Sequence, residues 1–156
     1  MMEIETRTPE ETERLGGLLA ETARPGSSVH LSGDLAAGKT TLVRGFLRAL
    51  GYPGRVVSPT YTLVEPYETA RFPVHHFDLY RLKDPGELET LGFRDYFDGG
   101  SVCLVEWPER GVPLLAAPDL DIRLAIRGPA RLVTLRAGTP AGTAWLERLG
   151  LARAET

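Results

Sequence analysis

The sequence predicts an α/β fold with a central, mostly parallel sheet that is flanked by helices and extended by antiparallel strands and a hairpin. Helical and strand-like patterns alternate along the chain, which is typical of helices packed on a sheet. Residues 101–105 (SVCLV) form a continuous apolar run, as expected of a strand covered on both faces. A glycine-rich segment, residues 33–38, connects another short apolar strand to an amphipathic helix.

The individual elements follow from capping signals and from the periodicity of apolar residues. Thr8 is the expected N-cap of the first helix, Pro9 its first residue and Glu11 its capping-box partner, and the helix ends at Pro25-Gly26. The other predicted elements are an edge strand at 3–6, a strand at 28–32, a helix at 40–50, strands at 61–65 and 74–80, a short helix at 84–91, the strand at 101–105, a hairpin of 121–126 and 131–135, and a closing helix at 143–150.

Composition limits the class of protein. The 156 residues carry 18 basic and 21 acidic side chains, a formal net charge of −3, and are 42% apolar. These values exclude wholesale disorder, and the length fits a single domain over 1–156 with a core at about 3–137. The longest uncharged stretch, 137–146, is too short to span a membrane, and the N-terminus is acidic without an apolar leader. We therefore expect a soluble, cytoplasmic protein that is not a membrane protein.

Residues 33–40 (GDLAAGKT) match the Walker A, or P-loop, pattern G-x-x-x-x-G-K-[ST]. Gly33 and Gly38 allow the backbone to turn so that successive N–H groups face phosphates, and the next helix adds its positive N-terminal end. In this pattern Lys39 reaches the β- and γ-phosphates and the Thr40 hydroxyl binds Mg²⁺. The sequence therefore predicts a nucleotide-binding protein. The candidate binding residues of the loop are Gly33, Asp34, Leu35, Ala36, Ala37, Gly38, Lys39 and Thr40.

A P-loop needs an acidic residue at the end of a nearby strand to organise Mg²⁺ and the attacking water. Two residues fit that description: Glu106 after residues 102–105, and Asp78 after residues 75–77. Either carboxylate could instead cap a helix or pair with an arginine. The chain contains neither Asn nor Gln, so it lacks both the guanine-reading N-K-x-D motif and a water-positioning glutamine. These absences favour ATP over GTP.

Four blocks in this order resemble the bacterial TsaE (YjeE) family, the small ATPase of tRNA threonylcarbamoyladenosine biosynthesis. They are residues 33–41 (GDLAAGKTT), 58–64 (SPTYTLV), 76–82 (HFDLYRL) and 103–109 (CLVEWPE). The resemblance covers about 6–135. One departure is Ala36, which stands where the family loop usually has glycine, and it matters if that position requires a positive φ.

The resemblance implies roles at the matching positions. Lys39, Thr40 and Thr41 would bind the phosphates and Mg²⁺, Glu106 would be the second Mg²⁺ ligand, and Asp78 would be the acid near the γ-phosphate. Trp107 would pack by the nucleotide, unless it is an ordinary core indole. Residues 58–60 resemble a loop that senses the γ-phosphate, residues 7–12 would lie near the adenine, and Arg131 would reach the nucleotide.

The adjacent histidines and the single cysteine do not indicate a further reactive or metal-binding site. His75 and His76 are adjacent on a predicted strand, so they point to opposite faces and cannot jointly bind a metal. Cys103, the single cysteine, excludes an internal disulfide and lies in the most apolar strand, which favours a core residue over a nucleophile.

The function expected from the resemblance is ATP hydrolysis in support of threonylcarbamoyl transfer to tRNA, with ATP and Mg²⁺ as cofactors and Lys39, Asp78 and Glu106 as catalytic residues. The expected partner is a TsaD–TsaB complex, with tRNA contacted only through it, and the free chain is expected to be a monomer with weak activity. Two alternatives remain. One is a small-molecule P-loop kinase, and the other is a nucleotide-gated binding module without turnover.

Overall fold

One seven-stranded sheet organises the chain in the computed structural model, which describes residues 1–155. The strands are β1 (Met2–Thr6), β2 (Ser28–Ser32), β3 (Val64–Tyr67), β4 (Val74–Asp78), β5 (Val102–Glu106), β6 (Leu120–Arg127) and β7 (Ala130–Ala137). The α-helices are α1 (Pro9–Thr22), α2 (Lys39–Ala49), α3 (Gly86–Leu91) and α4 (Pro140–Ala154), and short 3₁₀ helices lie at Phe93–Tyr96 and Pro108–Gly111.

The strand order is β1-β7-β6-β2-β5-β4-β3. Strands β6, β2, β5 and β4 are parallel, whereas β7 pairs antiparallel with β6 and β1, and β3 pairs antiparallel with β4. The α/β prediction is confirmed, but "mostly parallel" holds only for the four central strands, because three of the six pairings are antiparallel. The short β6–β7 connection explains one of these three pairings, since a tight turn can join only antiparallel strands.

The parallel centre places three chain segments at one edge of the sheet. Strands β2, β4 and β5 end there with their carboxyl termini side by side. In open α/β sheets, ligands bind outside this edge. Residues 33–38 leave β2 at this edge, and β4 and β5 finish there with Asp78 and Glu106.

Helix α1 begins as the capping signals predict and packs closely on α2. The Thr8 hydroxyl accepts a hydrogen bond from the Glu11 N–H at 3.1 Å. The second bond of the predicted capping box differs, because the Glu11 carboxylate accepts from the N–H of Arg7 instead of that of Thr8. A Cβ at Gly16 would lie 2.2 Å from the Leu42 carbonyl oxygen, and one at Gly45 would lie 2.0 Å from that of Glu13. Glycine is therefore required where the two helices cross, and this crossing fixes α2 behind the loop.

Several predicted boundaries were wrong, each for a local reason. The strand predicted at 61–65 begins only at Val64, because Leu63 belongs to a turn. Leu63 has a φ of +68°, and its N–H donates a hydrogen bond to the Pro59 carbonyl. The strand predicted at 74–80 ends at Asp78, whose carboxylate accepts the Tyr80 N–H. The closing helix is longer than predicted, because Thr139 caps it from Pro140 onward.

Buried apolar side chains form two clusters. The larger lies between the sheet and helices α1, α2 and α4, and the smaller surrounds Phe77, Leu88 and Phe93. Cys103 belongs to the smaller cluster, and burial raises the pKa of its thiol to about 12, so its predicted core position is confirmed. Within residues 1–155, no helix has the length and apolar character needed to cross a membrane.

Candidate functional site

A cavity of about 390 Å³ lies at the carboxyl edge of the parallel strands. It brings together the three residues that the sequence analysis named as catalytic: Lys39, Asp78 and Glu106. The residues lining it are Leu35, Ala36, Ala37, Gly38, Lys39, Thr40, Thr41, Ser58, Thr60, Asp78, Tyr80, Glu106 and Trp107. Gly33 and Asp34, also candidates, do not line the cavity, and their carbonyl oxygens accept hydrogen bonds from the Lys39 ammonium.

The loop at residues 33–38 owes its shape to backbone conformations that L-residues rarely adopt. Gly33 has a φ of +148° and Gly38 a φ of +109°, and a Cβ at Gly33 would lie 2.6 Å from the Leu124 carbonyl oxygen. Ala36 also has a positive φ, +64°, so this alanine is held in a conformation that glycine adopts more easily. Gly38 precedes α2 without a side-chain cap, which leaves the first N–H groups of the helix available to a ligand.

The Lys39 ammonium is held between the loop and an indole ring. It donates hydrogen bonds to the carbonyl oxygens of Gly33 and Asp34, the latter at 3.3 Å, and lies 4.0 Å from the centre of the Trp107 ring. Burial lowers the pKa of Lys39, and the nearby carboxylates of Glu106 and Asp78 oppose that shift. A bound anion would therefore take the place of these two carbonyl oxygens as the hydrogen-bond acceptor of Lys39.

Glu106 is buried at the end of β5 and is bound by a histidine that the sequence did not implicate. Its Oε2 lies 2.6 Å from Nε2 of His76, which is fully buried on β4. The two residues are far apart in sequence, and only the pairing of β4 with β5 brings them together. The opposite-face argument for His75 and His76 excluded a shared metal but gave no sign of this contact.

Asp78 has a different set of partners. Its Oδ2 accepts hydrogen bonds from the Ser58 hydroxyl at 2.6 Å and the Thr60 hydroxyl at 3.4 Å, and its Oδ1 accepts the Tyr80 N–H at 2.9 Å. The segment that resembles a sensing loop therefore contacts the carboxylate directly. Asp78 links β4 to a surface segment, because Ser58 is exposed.

Trp107 serves both as a wall of the cavity and as an edge of the core. Its φ of +56° and ψ of 50° are rare for a bulky residue and indicate local strain. The ring lies 5.0 Å from that of Tyr80 and packs against the smaller apolar cluster. The two sequence interpretations of this residue are thus compatible.

A second cavity, about 140 Å³, lies on the other side of the loop. Arg131 lines it and donates from Nε to the Ala37 carbonyl at 3.1 Å and from Nη2 to the Ala36 carbonyl at 3.3 Å. The structure thus places Arg131 on the loop itself. The other lining residues are Thr6, Thr8, Pro9, Thr12, Ala36, Ala37, Gly38, Thr41 and Pro129, which include part of the segment expected near an adenine.

The donor set of the larger cavity fits Mg²⁺ only when phosphate oxygens complete it. The Thr40 hydroxyl and the Glu106 carboxylate are oxygen donors of the kind that Mg²⁺ prefers. Across residues 1–155, no group of three or more His, Cys, Asp or Glu side chains is placed to hold a metal ion. Magnesium sites of this type use one or two carboxylates together with substrate phosphates.

Comparisons with known proteins agree on one family. A protein of Haemophilus influenzae named tRNA threonylcarbamoyladenosine biosynthesis protein TsaE is 52% identical over 114 residues, covering 73% of this chain and 72% of that protein. The protein of the same name from Bacillus subtilis is 46% identical over 109 residues, covering 69% and 68%. The crystal structure of Bacillus subtilis YdiB superimposes with a TM-score of 0.85 at 33% identity, covering 99% of this chain and 96% of that one.

The family match spans the loop, both strand-end carboxylates and most of the hairpin. The family described as threonylcarbamoyl adenosine biosynthesis protein TsaE matches residues 6–132. That range contains every residue of the larger cavity and all of the sheet except residues 2–5 of β1 and 133–137 of β7. The chain therefore belongs to the TsaE family.

Proposed function

We propose that this protein binds ATP with Mg²⁺ and hydrolyses it in support of threonylcarbamoyl transfer to the adenosine adjoining the anticodon of tRNA, acting with a TsaD–TsaB complex. The observation that carries the proposal is the convergence of Lys39, Asp78 and Glu106 on one cavity beside the glycine-rich loop. Family membership supports the pathway, and the cavity supports the chemistry.

Phosphate binding is the task to which the loop is best suited. As a P-loop, it would bind phosphates through its backbone N–H groups and through the uncapped N-terminus of α2. Lys39 would exchange the carbonyl oxygens of Gly33 and Asp34 for phosphate oxygens. That exchange is favourable, because a lysine binds a charged oxygen more strongly than a neutral carbonyl.

Thr40 and Glu106 would hold Mg²⁺, which supplies charge neutralisation at the phosphates during transfer. Asp78 would orient the attacking water, because its carboxylate can accept a hydrogen bond from water while Ser58 and the Tyr80 N–H fix its direction. Trp107 would cover the lysine side of the site. Its position against Lys39 restricts water there, which strengthens charge interactions with phosphate.

The adenine would lie in the smaller cavity on the far side of the loop. That cavity is lined by Pro9, Pro129 and several threonine side chains, so it offers apolar surface together with hydroxyl groups for the base edge. Arg131 would support binding indirectly, by holding the carbonyl groups of Ala36 and Ala37 away from the phosphates.

Reconstitution of tRNA modification tests the proposal. Purified TsaD–TsaB, threonylcarbamoyl donor and tRNA are incubated with and without this protein and with and without ATP. We expect sustained modification only when both are present, accompanied by release of inorganic phosphate. Phosphate transfer to a small acceptor would indicate a kinase instead. Binding of ATP without turnover, even with the partners present, would indicate a nucleotide-gated binding module.

A further inference from the structure

His76 is a fully buried polar side chain with a defined partner and no role in the proposal above. It lies on β4 directly beside Leu104 of β5, two residues before the pair formed by Asp78 and Glu106. Side chains two apart on a strand share a face, so His76 approaches Glu106 diagonally on the same side of the sheet. The separation of 2.6 Å between Nε2 and Oε2 is that of a strong hydrogen bond.

We infer that His76 is a positioning residue, which fixes the Glu106 carboxylate so that its second oxygen is directed to the Mg²⁺–nucleotide complex. The inference rests on the proposed function, because it concerns the carboxylate assigned there to Mg²⁺. Hydrogen bonds to the outer side of a metal ligand set its orientation, and their loss typically costs 10- to 100-fold in metal affinity.

The hydrogen-bond pattern assigns the tautomer of His76. A carboxylate oxygen can only accept, so Nε2 carries the shared proton. His76 Nδ1 is buried and has no hydrogen-bond partner within the described part of the chain. A proton on Nδ1 would be a buried donor without an acceptor, which is costly, so the favoured tautomer of the imidazole carries its proton on Nε2.

The same pattern distinguishes the two oxygens of Glu106. Oε2 accepts from His76, whereas Oε1 makes no hydrogen bond to residues 1–155. Glu106 lines the larger cavity together with Thr40. One oxygen is therefore committed to the protein, and the other is available to a ligand.

His75 provides a matched control. It is the neighbouring histidine on β4, it points to the opposite face, and its ring lies 4.9 Å from that of Tyr96 rather than near Glu106. Like His76, it has a buried Nδ1 without a partner in residues 1–155. Replacing it removes an imidazole from the same strand without touching the carboxylate.

The test measures ADP affinity by isothermal titration calorimetry without Mg²⁺ and at increasing Mg²⁺ concentrations. The variants are His76→Leu, His76→Gln, His75→Leu and Glu106→Ala. We expect His76→Leu to leave the ADP affinity measured without Mg²⁺ unchanged. The Mg²⁺ concentration that produces half of the metal's full effect on ADP affinity should rise by ~10-fold or more. His76→Gln, which keeps a donor near the position of Nε2, should recover most of the loss, and His75→Leu should match the unmodified protein.

An unchanged Mg²⁺ dependence in His76→Leu, alongside a strong effect of Glu106→Ala, would overturn the inference and leave the proposed function intact. If Mg²⁺ does not enhance ADP affinity in the unmodified protein, the metal site of the proposed function fails instead. ¹⁵N NMR of the unmodified protein shows which ring nitrogen of His76 carries the proton. This measurement does not depend on whether a variant folds. A proton found on Nδ1 of His76 rather than on Nε2 would contradict the inference.

Discussion

Asp78 and Glu106 lie directly opposite each other at the carboxyl ends of the parallel strands β4 and β5. Both are buried, with exposed fractions of 4% and 3%. Burying two carboxylates side by side is costly unless each has its own donors. Asp78 is bound by the Ser58 hydroxyl and the Tyr80 N–H, whereas Glu106 is bound by His76. Their separate partners predict separate roles.

Replacing each carboxylate should therefore have a different consequence. Glu106→Ala should weaken Mg²⁺-dependent nucleotide binding more than metal-free binding, because it removes a proposed metal ligand. Asp78→Ala should retain ADP affinity and abolish hydrolysis, because it removes the group that orients water. ADP titrations with and without Mg²⁺, together with phosphate-release assays, separate these effects. Equal losses of metal-free ADP binding in both variants would assign both carboxylates to structure.

Ala36 should be replaceable by glycine with a gain in stability. An L-residue in the left-handed region costs about 1–2 kcal/mol, and the extra chain entropy of glycine offsets about 0.5–1 kcal/mol of that. We expect Ala36→Gly to raise the unfolding free energy by about 0.5–1 kcal/mol in urea denaturation. Ala37→Gly is the control, because Ala37 is buried and has no positive φ, and it should lower stability. Equal destabilisation by both changes would show that the φ of Ala36 is not strained.

Two adjacent glycines of α1 should respond in opposite directions to alanine. Gly16→Ala places a Cβ against the backbone of α2 and should destabilise the protein by about 1–3 kcal/mol. At Gly17 the nearest atom to a new Cβ is 3.5 Å away, an ordinary contact, so Gly17→Ala should stabilise the helix by about 0.5–1 kcal/mol. Thermal and urea unfolding of the two variants measure the difference. A neutral Gly16→Ala would mean that the helices are not packed this closely.

ATP hydrolysis by the isolated protein should be slow and should rise on addition of TsaD–TsaB. The Ser58 side of the cavity is exposed, and Asn and Gln, which could position water, are absent from the chain. Electrostatic stabilisation of the transition state is weak in a site open to solvent. We expect stimulation of at least ~10-fold, a modest part of the 10³–10⁵-fold that a completed site supplies. Fast turnover indifferent to TsaD–TsaB would favour an autonomous enzyme.

Nucleotide and partner should also be coupled in the reverse direction. If TsaD–TsaB favours the ATP-bound site, ATP must strengthen the binding of TsaD–TsaB by the same factor. Pull-downs with ATP and with ADP measure this coupling. Equal retention with both nucleotides would show that the partner does not distinguish the γ-phosphate.

Local sequence signals predicted the parts of the fold that short-range chemistry decides. Thr8, Pro9 and Glu11 predicted the start of α1, and the apolar run before Glu106 predicted a buried strand that ends in a carboxylate. The loop pattern also predicted that Lys39 lies where the loop meets α2. In each case the residues that determine the structure are neighbours in the chain.

Contacts between distant segments could not be read from these signals. The bond between His76 and Glu106 depends on the register of β4 against β5, and that of Arg131 to the Ala37 carbonyl depends on how the hairpin approaches the loop. The predicted start of β3 was wrong, because a turn at Leu63 interrupts a segment with strand-forming composition. Tertiary context decided these features, as it often does for β propensity.

The affinity of ATP for Lys39→Ala tests the central claim most directly. Lys39 and Lys83 are the two lysines of the chain, and Lys83 is exposed, so Lys83→Ala is a matched control. Calorimetric titration of a non-hydrolysable ATP analogue with Mg²⁺ should show at least ~10-fold weaker binding for Lys39→Ala, because a charge-assisted bond to phosphate contributes about 1.5–3 kcal/mol. Lys83→Ala should bind as the unmodified protein does. Equal dissociation constants for Lys39→Ala and the unmodified protein would contradict the assignment of this cavity to a nucleotide.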